Sequence, residues 1–155
     1  MDAVNRKLLV VLIGSMIFLI VLIGVVGYLL HQPRSPHIMI NGVMLTVELA
    51  ETPGAQEKGL SGRQSLPSDH GMLFIFDHED NWGFWMVDMR FPLDIIWFNS
   101  NRQAVFVEQD LSPCTPQYCP VYTPDAKAMY VLEVNAGFAA AHQTTLGTTF
   151  MFLGF

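Results

Sequence analysis

Residues 43–50 read VMLTVELA, with Val43, Leu45, Val47 and Leu49 at every second position and Met44, Thr46 and Glu48 between them. Successive side chains of a strand point to opposite faces, so this alternation predicts a β-strand with one buried face. Asn41-Gly42 immediately before it is a tight-turn dipeptide, and Ile38–Ile40 on the other side completes a hairpin. Further short runs rich in β-branched and aromatic residues, separated by Gly, Pro, Asn and Asp, predict strands at Met72–Phe76, Gly83–Met86, Asp94–Phe98, Ala104–Asp110, Met129–Val134 and Thr149–Phe152. Asn99-Ser100-Asn101 supplies another turn.

Two short helices interrupt the strands. Thr52 followed by Pro53 has the form of an N-cap and first helical position, opening a helix to about Leu60, and Ala136–Gln143 is Ala-rich. Strands and helices do not alternate as in a parallel α/β sheet, and there is no internal repeat. The expected fold class is therefore mainly β: a small sandwich or partly closed barrel over residues 38–155, with one or two short helices.

In front of this domain stands Leu8–Leu30, LLVVLIGSMIFLIVLIGVVGYLL, twenty-three residues without a charge. At the helical rise it reaches ~35 Å, enough for a bilayer core of ~30 Å, so the segment is read as one N-terminal transmembrane helix. A cleaved signal peptide is the competing reading, but its apolar core is usually shorter and only Val25-Val26-Gly27 offers a weak cleavage-like site. Arg6 and Lys7 precede the helix and Arg34 alone follows it closely. The positive-inside rule then puts residues 1–7 in the cytoplasm and the domain outside it, periplasmic or at the cell surface, beyond a Pro-containing linker at 31–37.

Cys114 and Cys119 lie in the Pro-rich stretch from about Ser112 to Pro124 and are expected to form a disulfide in that compartment, two free thiols or half a metal site being the alternatives. From Ser35 onward the chain carries five Lys and Arg against thirteen Asp and Glu, a net charge of −8, with no basic run. That excludes nucleic acid as the expected partner.

The motifs EKGLSGRQSL at 57–66, GMLFIF at 71–76, FWM at 84–86, PLDIIWF at 92–98 and YVLEVNAG at 130–137, in this order, resemble the prokaryotic domain of unknown function 192. The resemblance covers roughly residues 43–152. It implies a compact β-sandwich or barrel with small helices, often behind a signal sequence or membrane anchor, and no established activity. The basic or polar residue and small residue common after FWM in that family are replaced here by Val87-Asp88-Met89-Arg90.

Asp94 and Glu133 each interrupt an apolar strand. Carboxylates are costly to bury unpaired, so either they converge in a cleft as an acid and base pair, as in a hydrolase with a pocket lined by Trp85, or each is held by Arg63, Arg90, a backbone amide or water. The separate, structural use is the favoured one. Trp82, Phe84 and Trp85 near Arg90 form an aromatic cluster suited to a ligand or partner, Trp82 being the member expected at the surface and Trp85 in the core. His70, Asp77, His78, Glu79 and Asp80 offer metal-ligand types, and Met86 and Met89 copper-ligand types, but the spacing matches no defined metal loop, and no metal or cofactor is expected. No G-x-S-x-G elbow, phosphate-binding glycine loop or H-E-x-x-H is present. The sequence thus points to a membrane-anchored binding or accessory module rather than an enzyme. Its partners are the bilayer through Leu8–Leu30 and an integral membrane protein packing where Gly14, Ser15, Gly24 and Gly27 are small. Arg63, Arg90, Trp82 and Trp85 are the binding candidates.

Overall fold

The computed structural model describes residues 3–30 and 36–153, with side chains of the first helix described from 12 to 27. The chain forms two compact units, 1–34 and 35–155. The first is a continuous helix, α1 (Ala3–Leu30), whose described apolar side chains from Leu12 to Val26 are exposed, Phe18 at 69%. Among the described residues no helix is long and apolar enough to cross a membrane. The stretch with described side chains, 12–27, is itself shorter than the ~20 residues a span requires. Most of the expected linker, 31–35, lies outside the described residues, and its last position, His37, already belongs to a strand.

The second unit runs β1 (His37–Ile40), β2 (Val43–Ala50), α2 (Pro53–Lys58), β3 (His70–Asp80), β4 (Leu93–Phe98), β5 (Ala104–Leu111), β6 (Ala128–Asn135), α3 (Phe138–Ala141) and β7 (Phe150–Phe152). Asn41 and Gly42 both take positive φ, 48° and 79°, which is the backbone a two-residue hairpin turn needs between β1 and β2. Thr52 accepts a hydrogen bond from the Ala55 N–H, capping α2 as its sequence implies.

All seven strands join one sheet in the order β5-β4-β6-β3-β2-β1-β7. Every pair is antiparallel except β2 with β3, which α2 and the following loop connect as a parallel crossover. The sheet curls until its edges meet. Gln103 bridges Thr149, the Ala104 N–H donates to the Thr148 carbonyl at 2.7 Å, and the Gly147 N–H donates to the Ala104 carbonyl at 2.8 Å. The result is a partly closed barrel rather than a sandwich, which removes much of the exposed edge that β5 and β7 would present.

Each face of the curled sheet carries its own core. All seven strands contribute to the inner one, with Ile40, Val47, Leu73, Ile96, Leu132 and Phe150 among its members, and Phe138 of α3 packs into it. The outer core, with Phe74, Ile95, Trp97, Val131, Leu60 and Met86, is covered by the segments around 82–92 and 112–124. Because both faces are buried, β4 is buried at every position. The expected strand at Gly83–Met86 does not form; Phe84 makes a single bridge with Tyr122, and Val87 another with Cys114. Prolines at 113, 116, 120 and 124 withhold N–H donors from this pairing, so no ladder extends from the bridges.

Cys114 and Cys119 form a disulfide with Cα atoms 5.2 Å apart. The closed loop is short, so loop-closure entropy assigns it about 2 kcal/mol. Reduction is expected to lower the denaturation midpoint by that modest amount and to deprotect amides in 112–122 while the barrel strands stay protected, as hydrogen exchange with and without reductant will read.

Candidate functional site

Glu48, Met72, Glu133 and Ile95 are successive cross-strand neighbours on β2, β3, β6 and β4, and so share the outer face of the sheet. Asp94 pairs with Val134, one position away, and therefore faces inward. The period of two thus puts the two sequence-predicted carboxylates on opposite sides of the sheet, and no acid–base pair forms between them.

Asp94 is fully buried and structural. Its Oδ1 accepts from the N–H groups of Asp110 at 2.9 Å and Gly137 at 3.2 Å, and its Oδ2 accepts from the Ala139 N–H at 2.7 Å. It thereby satisfies the free donors at the start of α3, where Gly137 has no side chain to cap them. This is the backbone-amide alternative raised by its position in PLDIIWF.

Glu133 is different. It is 5% exposed, and its Oε2 is buried with no hydrogen-bond partner. Arg63 lies near it but is committed elsewhere, its guanidinium holding both carboxylate oxygens of Glu48, with Nη2 to Oε2 at 2.7 Å. That bidentate pair holds the Glu48 carboxyl below its ordinary range and the Arg63 guanidinium above its own. Burial pushes the Glu133 carboxyl up to about 8, with Arg63 pulling weakly the other way. At neutral pH Glu133 is therefore mostly protonated. Gly59, at φ 49°, closes α2 over it: a Cβ there would stand 3.3 Å from Phe74 Cζ and 3.7 Å from Glu133 Oε2.

Above Glu133 opens a cavity of about 190 Å³, walled by Phe74, Phe76, Trp82, Phe84 and Trp85, with Gln56, Glu57, Ser61 and Met89 completing it. Phe76 and Trp82 are stacked, centroids 4.0 Å apart and planes 10° from parallel, and Phe84 meets Phe74 edge-on at 4.8 Å. The two tryptophans exchange their expected places. Trp85 is 49% exposed, whereas Trp82 packs against the outer core with its Nε1 buried and unpaired. A contact between distant parts of the chain accompanies this: the Trp82 carbonyl accepts the Trp97 Nε1–H at 2.8 Å, which fastens residue 82 to β4.

Arg90 is exposed and lines a more open cleft with Gly62, Asp88 and Cys114, which adjoins the Glu133 cavity through Ser61 and Met89 but does not bring Arg90 into it. The metal-type residues disperse, His70 bonding Asp69 at 2.7 Å and His78 bonding Asp77 at 2.5 Å. Among the described residues no three His, Cys, Asp or Glu side chains gather to hold a metal ion. Glu48, Phe74, Phe76 and Gly59 belong to the site although sequence reading did not select them. In the sequence Glu48 is one polar position of an alternating strand, with nothing local to set it apart.

Residues 37–152 match the sequence pattern of DUF192, described as an uncharacterized ACR. The chain belongs to this family. The DUF192 match begins and ends within the curled sheet, so it covers the cavity and excludes α1. No functionally curated protein matches the sequence. The fold is similar to that of a protein of unknown function from Novosphingobium aromaticivorans, with TM-score 0.69 and 28% identity over 74% of this chain and 83% of that one. It is also similar to a protein from Sinorhizobium meliloti described as a "putative transcription regulator", with TM-score 0.70 and 28% identity over 76% of this chain and 92% of that one.

Proposed function

We propose that the chain is a membrane-tethered binding module whose DUF192 domain takes a small ligand outside the cytoplasm. The observation that carries the binding part is Glu133: an unpaired buried carboxyl at the base of an aromatic cavity. Such a group costs stability in the empty protein and is compensated when a ligand completes its hydrogen bonds. Among the described residues that line the cavity, the other acid or base is Glu57 of α2, whose side chain is exposed to solvent.

The tether is supported by the uncharged run Leu8–Leu30 and by Arg6 and Lys7 before it, and the disulfide suits an oxidising compartment. The domain's net charge of −8 argues against nucleic acid as its partner. An integral membrane partner packing at Gly14, Ser15, Gly24 and Gly27 would make the module an accessory subunit, and a helix-swapped control in a mild-detergent pull-down tests that extension.

Two measurements test the proposal. The full chain is expected in the carbonate-resistant membrane pellet, with residues 36–153 degraded by protease added to the extracytoplasmic side; recovery in the soluble fraction would overturn the tether. In maltoside micelles, binding is expected to change tryptophan emission, because Trp82 and Trp85 line the cavity. A fragment library that leaves emission and melting unchanged would overturn the ligand-binding reading.

A further inference from the structure

We infer that the cavity above Glu133 recognises a small organic ammonium group, aliphatic amine or quaternary, held against aromatic rings by the buried carboxylate. The inference rests on the binding function just proposed and specifies its ligand class.

Five observations carry it. Five aromatic residues line one small space, and the negative face of an aromatic ring attracts ammonium by cation–π interaction. Among the described residues, the side-chain acceptor buried in that space without a partner is a carboxylate oxygen, Glu133 Oε2, the natural counter-charge. The volume of about 190 Å³ lies below the ~300–1,000 Å³ of drug-sized pockets and suits a group of a few heavy atoms. The domain's charge of −8 draws cations toward it. Trp82 adds a buried, unpaired Nε1–H that an oxygen beside the ammonium would satisfy.

The charged groups around Glu133 are few. Arg63, from the loop after α2, is neutralised by Glu48 of β2, which His70 at the start of β3 also faces electrostatically. Glu57 of α2 stands at the cavity wall, β4 presents Ile95, and the 82–89 part of the lining is aromatic apart from Gly83 and Met89. Entry of a cation therefore favours the ionised form of Glu133, and the carboxyl proton is released to solvent. Below the Glu133 pKa of about 8, affinity rises up to tenfold per pH unit, and above it affinity levels off.

The test is calorimetric titration of the full-length protein in maltoside micelles with choline, whose charge does not titrate, and with 3,3-dimethylbutan-1-ol, its neutral isostere. Choline is expected to bind with release of close to one proton at pH 6.5 and none at pH 9.5, and the alcohol at least tenfold more weakly with no pH dependence. Glu133→Gln is expected to remove the proton release and the preference for choline while its circular dichroism stays native. Equal or tighter binding of the alcohol would overturn the ammonium assignment and leave the ligand-binding module standing. Failure of both compounds, and of propylammonium as a smaller probe, overturns the ammonium assignment; only a silent fragment library overturns the module. Repeating the choline titration in phosphatidylcholine and phosphatidylglycerol nanodiscs separates the sources. Weaker apparent binding in phosphatidylcholine assigns the site to lipid headgroups, and equal binding assigns it to a free amine.

Discussion

Glu133→Gln is expected to make the domain increasingly more stable than the native chain as pH rises from 5 to 8. The native carboxyl is raised by burial from 4.5 to about 8. A carboxyl whose folded pKa exceeds its unfolded value binds more protons in the folded state between the two values. Its contribution is fully present below 4.5 and is lost as pH rises through 8, at about 1.4 kcal/mol per pH unit. Over that window the loss approaches about 5 kcal/mol, a large share of a small domain's stability. Glutamine keeps the shape and has no proton to lose, so its curve lacks the slope. Urea denaturation of both proteins at pH 5, 6.5, 8 and 9.5 measures the difference directly; parallel curves would mean that Glu133 is ionised in the folded protein throughout. Saturating ligand should flatten the native curve toward that of the variant, which ties the stability of the domain to the occupancy of its cavity.

Asp94→Ala is expected to prevent stable folding or to cost about 3–5 kcal/mol, because it removes the acceptor for three backbone N–H groups in one step. Asp94→Asn separates charge from hydrogen bonding. Its carbonyl oxygen can take the place of Oδ1 toward Asp110 and Gly137, while its amide nitrogen meets the Ala139 N–H that Oδ2 now accepts. An intermediate loss of about 2 kcal/mol is expected, with hydrogen exchange accelerating first at 137–141. Ligand binding by the folded Asp94→Asn fraction should be unchanged, since Asp94 faces inward and Glu133 outward. A catalytic or ligand-contacting Asp94 would instead show native stability with lost binding or activity.

These two carboxylates also show where a reading of the chain reaches and where it stops. Both stood out for the same reason, a charge inside an apolar strand, and both proved buried. Their different uses depend on register, which pairs Ile95 with Glu133 and Val134 with Asp94. A one-residue offset puts the side chains on opposite faces, and nothing local to PLDIIWF or YVLEVNAG sets that offset. Trp82 and Trp85 were likewise recognisable as a cluster, but which one packs inward follows from the bond between the Trp97 indole and the Trp82 carbonyl, fifteen residues away.

The sequence by itself determined seven of the eight expected strands, the hairpin at Asn41-Gly42, the capped α2, the cysteine pair, the acidic composition and the DUF192 family. Each of these depends on short-range physics: side-chain alternation, turn dihedrals, a cap three residues from its donor, or composition. Closure of the sheet through Gln103 and Thr149, the loss of a ladder at 83–86, and the isolation of Glu133 beneath Gly59 were decided only by tertiary structure. Those features arise from contacts between residues distant in the chain, and burial, which turns an ordinary glutamate into a protonated one, is a property of what surrounds a side chain rather than of its neighbours in sequence.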